Sequence, residues 1–165
     1  MRFSTRSLAR AAIIAALYIA LTLLLQPISF GPVQFRVSEA LTILPILTLD
    51  AVPGLTVGCV LANLLGGAPW YDVFFGSLAT LLAALLTRKF RNNFPLAASM
   101  PVLLNGLITG PVVYFAYMLI PGDPASIPAL LGCMGSVALG ELAVVGILGT
   151  ALWYALKKLP RVFLS

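Results

Sequence analysis

Glu39, Asp72 and Glu141 are carboxylates set in apolar sequence, and Arg36, Asn63 and Asn105 are polar groups in the same setting. A charge near the centre of a bilayer costs on the order of 3 kcal/mol on insertion scales, so a group kept there needs a partner or a purpose. Carboxylates and side-chain amides suit a ligand rich in N–H donors, and the indole face of Trp70 suits a flat ring. A planar nitrogen heterocycle fits this set better than a sugar or a fatty acid does. Each residue also has a plainer reading. Arg36 and Glu39 stand three apart and can pair with each other if helical. Asp72, at a helix start, can act as N-cap and dipole partner. Trp70 and Tyr71 fit an interfacial aromatic belt, and Asn63 and Asn105 can hold helices together by hydrogen bonds. Glu141 resists such a reading, because Leu139, Gly140, Leu142 and Ala143 bring no compensating charge within a helical turn.

These residues must be positioned by lipid-embedded elements. Of 165 residues, 61% are hydrophobic and 9% charged, far from the composition of soluble domains. The fold class expected is an all-α membrane protein. The net charge of +5 reads as cytoplasmic anchoring rather than nucleic-acid binding. Cys59 and Cys133 fall in apolar runs and do not suggest a disulfide framework. With no His, no phosphate-binding G-x-x-x-x-G-K-[ST] loop and no G-x-S-x-G or H-E-x-x-H motif, the chain is not expected to be an enzyme, to hold a metal or cofactor, or to hydrolyse ATP unaided.

Cationic clusters set the number and direction of the spans. Arg2, Arg6 and Arg10 open the chain, Arg88, Lys89 and Arg91 interrupt it, and Lys157, Lys158 and Arg161 close it. Turn residues divide the sequence into helices over about 7–26, 38–50, 54–66, 72–87, 96–120 and 128–157. The first is read as a retained helix rather than a signal peptide. Six spans place all three clusters in the cytoplasm together with both termini, whereas five would strand the middle cluster outside. The short second and third helices are tolerable if buried in the bundle. Arg36, Glu39, Trp70, Tyr71 and Asp72 then gather on the outer side. No internal repeat of the kind common in secondary transporters is visible.

Three local patterns add detail. Val33 to Ser38 alternates apolar and polar residues, which predicts an extended segment able to cover an outward pocket. Pro111 should disturb its helix near Leu107, close to Asn105. Ala12, Ala16 and Ala20 recur every four residues, a spacing that lets another helix approach closely, either within the bundle or from a partner. Gly132, Ser136 and Gly140 form a similar line, expected to pack internally.

The run Phe35-Arg36-Val37-Ser38-Glu39-Ala40-Leu41-Thr42, the Pro53-Gly54 pair, Asn63-Leu64 and the stretch from Asp72 to Thr80 resemble the QueT family. That family belongs to the substrate-binding S components of energy-coupling factor transporters. The resemblance implies a multi-pass subunit of the prokaryotic plasma membrane that captures a queuosine precursor outside. It would dock through the alanine stripe on a membrane T subunit bearing two cytoplasmic ATPases. A deazaguanine base would then meet Glu39 or Glu141, with Asp72 facing a cationic arm, Asn63 and Asn105 reading the ring, Trp70 stacking and Arg36 orienting Glu39. Other expectations compatible with the residues are an S component for another heterocyclic vitamin and a stand-alone proton-coupled carrier using Glu39, Asp72 and Glu141.

Overall fold

The computed structural model describes residues 4–30, 35–119 and 124–158, and every regular element among them is a helix. Helix α1 (Thr5–Leu24) is capped by Ser4, whose hydroxyl accepts from the Ser7 amide. A short α2 (Gln26–Ser29) follows, with Pro27 in its first turn. Helix α3 (Val37–Ile46) is a 3₁₀ helix of 10 residues with Pro45 inside it, shorter than the 38–50 expected. Its tighter coil rises about 2.0 Å per residue, so it covers about 20 Å where an α-helix would cover about 15 Å. Most of its side chains are buried, Ser38 to Ile43 without a break.

Helix α4 (Ala51–Leu65) starts before the Pro53-Gly54 pair. Pro53 therefore lies in the first turn rather than in a turn ahead of it, where its missing N–H has no helical acceptor to disappoint. Helix α5 is Trp70–Lys89, α6 is Phe94–Met118 and α7 is Ile127–Leu156. Within α6 the turn Asn105–Thr109 widens to π geometry just ahead of Pro111, which cannot donate to the Leu107 carbonyl. Further π turns lie at Tyr114–Met118 in α6 and at Val144–Gly149 in α7. Helices α1, α5, α6 and α7 are long and apolar enough to cross a membrane; α3 and α4 are apolar but shorter.

Side-chain contacts define the two ends of the bundle. At one, Ser7 donates to the Asp50 carboxylate and Arg10 Nε pairs with it at 2.7 Å. Arg88 there donates to the carbonyls of Pro45 and Ile46 at 3.1 and 3.3 Å, satisfying the end of α3. The Thr87 hydroxyl bonds the Ala97 carbonyl, and Phe94 stacks on Trp153 with centroids 4.1 Å apart. Lys157 lies over that same indole. The described members of all three basic clusters thus share one end. At the opposite end, the Gln26 amide reaches the Gly66 carbonyl at 3.3 Å and Arg36 meets Asp72.

Two seams of glycine hold the layers together. A Cβ at Gly54 would sit 2.7 Å from the Ala11 carbonyl oxygen, and one at Gly58 would sit 2.9 Å from Tyr18 Cβ. Helices α1 and α4 therefore touch backbone to backbone through Ala11, Ala15, Gly54 and Gly58. Gly110 of α6 meets Met134 of α7 in the same manner at 2.6 Å, and Gly106 meets Ala138 at 3.0 Å. The line Gly132, Ser136, Gly140 packs internally only toward its C-terminal end. Gly132 has nothing within 4 Å, and only Gly140 is buried. The close approach to α7 comes from glycines on α6 instead.

Candidate functional site

Polar residues scattered over more than a hundred positions converge in the half of the bundle away from the basic end. Arg36 has extended backbone (φ −90°, ψ 100°) immediately before α3. Val37 and Ser38, expected to continue that extension, already belong to the 3₁₀ helix, while Val33 and Gln34 lie outside the described residues. The Arg36 guanidinium donates through Nε to the Ser29 carbonyl and through Nη2 to Asp72 Oδ2, both at 3.2 Å. Phe30 covers it, with the ring centroid 5.2 Å from Cζ. Tyr117 also bonds Asp72 Oδ2 at 3.4 Å, and Asn63 donates to the Asp72 backbone carbonyl at 3.3 Å. Gly76 makes room for this carboxylate, since a Cβ there would come within 2.9 Å of its Oδ1.

The ion pair of Arg36 is therefore with Asp72, 36 residues away, and not with Glu39 as the three-residue spacing suggested. Arg36 stands outside α3 with extended backbone, so its side chain leaves the helix face on which an i,i+3 pair with Glu39 would form.

Glu39 takes a different partner. The Tyr18 hydroxyl of α1 donates to its Oε1, and Thr22 one turn on bonds Ser38 at 2.7 Å. Asn105 faces the carboxylates of both Glu39 and Glu141. Its Oδ1 accepts from Thr109 at 3.2 Å, which turns the amide NH₂ away from Thr109. Asn105 opens a π turn, and Glu141 lies one turn ahead of another. Such turns are frequent at functional sites because they re-aim side chains without ending the helix.

Three atoms of this group, Glu39 Oε2, Glu141 Oε1 and Asn105 Nδ2, are buried and make no hydrogen bond among the described residues. Buried polar atoms are nearly always paired, and leaving one unpaired costs about 1–3 kcal/mol. Chemically the group can accept N–H donors and stabilise positive charge. Among the described residues no His, Cys, Asp and Glu cluster is arranged to hold a metal.

Six of the expected site residues are thus deeply buried: Arg36, Glu39, Asn63, Asp72, Asn105 and Glu141. Trp70 does not join them. It is 75% exposed and stands edge-to-face with Tyr71. Two residues before Asp72 is about 200° around an α-helix, so burying the carboxylate turns the indole outward. Tyr18 and Tyr117 were missed by sequence reasoning. Tyr18 had left a signal, since a phenol in the middle of a 20-residue apolar helix needs a hydrogen-bond partner. Ala12, Ala16 and Ala20 line the exposed face of α1, while Ala15 is buried against α4.

The chain is 40% identical over 89 residues to the protein named Queuosine precursor transporter QueT of Lactococcus lactis subsp. cremoris (strain MG1363). That match spans 50% of this chain and 52% of the relative, about half the length of each. No solved structure matches the chain. The family described as QueT transporter matches residues 8–158, nearly the whole described bundle, and the chain belongs to that family.

Proposed function

We propose that this chain is the membrane-embedded substrate-binding subunit of an energy-coupling factor uptake transporter, with a deazaguanine precursor of queuosine as its ligand. The observation that carries the reading is the buried group Glu39, Asn105 and Glu141, whose unpartnered carboxylate oxygens suit the N–H groups of a guanine-like edge and whose amide NH₂ suits its carbonyl. Family membership and the relative's name point to the same cargo. Asn63 reads the ring from the neighbouring helix, and the Arg36–Asp72 pair ties the start of α3 to α5 beside the ligand. Trp70 sits at the membrane interface beside the opening.

The reading includes six crossings of the plasma membrane, with both ends and the Arg88 to Arg91 turn in the cytosol, supported by the shared basic end and the positive-inside rule. The ligand group then faces outward. The exposed alanine face of α1 docks on a T subunit, which brings two cytoplasmic ATPases.

Mass spectrometry of the small molecule that co-purifies with the chain tests the cargo: a deazaguanine is expected. Liposomes test the class. Uptake should need the T subunit, both ATPases and ATP, whereas uptake by the chain alone under a pH gradient would make it a secondary carrier.

A further inference from the structure

Within the buried polar group the charges divide unequally. Asp72 faces the guanidinium of Arg36 across 3.2 Å, so the cation in the group makes its direct ion pair with that carboxylate. Glu39 and Glu141, on α3 and α7, lie near each other and feel that guanidinium only at longer range, with no cation of their own at bonding distance among the described residues. Tyr18 supplies Glu39 with a neutral donor. Both are nearly solvent-free, at 2% and 4% exposure, and each keeps an oxygen without a partner. A low-dielectric interior tolerates carboxylates so placed only with a proton or a counter-charge.

The geometry points to Glu39 and Glu141, rather than Asp72, as the receptor for a positive charge on the ligand, so that the site selects a cationic base over its uncharged analogue. This rests on the transport reading above and adds the charge of the cargo. One charged hydrogen bond contributes about 1.5–3 kcal/mol, which corresponds to a preference of about tenfold or more.

The test is calorimetric titration of the purified full chain with 7-aminomethyl-7-deazaguanine and with 7-deazaguanine, which lacks the charged arm. Wild type should bind the charged base about tenfold more tightly or better. Glu39→Gln and Glu141→Gln should narrow that gap to about threefold or less, whatever affinity each loses for the edge that the two bases share, and Glu141→Asp should keep the gap. Equal affinity of wild type for the two bases overturns the inference and leaves the transport reading standing; so does a gap that survives both Gln changes. Failure of wild type to bind either base overturns both. The wild-type comparison decides the matter even if a variant does not fold.

Discussion

Arg36 and Asp72 illustrate how a single pair can be worth little as a pair and much when broken. Both side chains are almost wholly buried, so the favourable interaction is largely offset by desolvation, while removing one partner strands the other. Arg36→Gln and Asp72→Asn should each lose about 3–5 kcal/mol, and the double change should lose much less than the sum. Thermal unfolding in detergent measures this, and additive losses would show that the two do not act together. Tyr18→Phe removes the hydroxyl that holds Glu39 Oε1. Ligand affinity should fall about tenfold and stability by about 1–3 kcal/mol, because the buried carboxylate oxygen loses its donor while the ring and its packing remain. At this scale the sequence revealed which groups are out of place in lipid but not their pairing. Arg36 finds Asp72 because Ser29, Phe30 and α5 meet there, a fact of packing that no local spacing contains.

Among the elements, α1 uses two alanine faces for two purposes. Ala11 and Ala15 meet the glycines of α4, and Ala12, Ala16 and Ala20 stay exposed. Gly54→Val should destabilise by about 1–3 kcal/mol, since the new Cβ meets a backbone oxygen that cannot rotate away. Gly132→Ala has open space on its side and should be neutral or stabilise by up to about 1 kcal/mol. Comparing the two melting temperatures checks that glycine spacing alone does not identify a seam. Ala16→Trp should leave ligand binding and stability within about 0.5 kcal/mol of wild type, yet release T subunit and ATPases on co-purification. Unchanged recovery would return that face to contact with lipid. The ends of the long helices were legible from Pro, Gly and charge. The 3₁₀ winding of α3 was not, because a run such as Glu39-Ala40-Leu41-Thr42 has no periodicity that separates it from an α-helix.

For the molecule as a whole, the direction of the bundle in the membrane decides what the site can do. A cysteine replacing Ser126, which is exposed at the N-terminus of α7, should react with an impermeant thiol reagent applied to intact cells, and one replacing Lys89 should not. The native Cys59 and Cys133 are buried and should contribute little background. Labelling at position 89 from outside would turn the ligand group inward and end the case for external capture. The sequence by itself determined that the chain is helical and membrane-embedded, that its basic clusters belong together, and that a few polar residues demand partners. Hydropathy and charge are properties of single residues summed along a chain, so they survive without coordinates. Only the tertiary structure decided that Trp70 turns outward, that Tyr18 supports Glu39, and that Asn105 comes close to both Glu39 and Glu141. Those relations depend on helix rotation and on 3₁₀ and π turns, where a shift of one residue moves a side chain by about 100°.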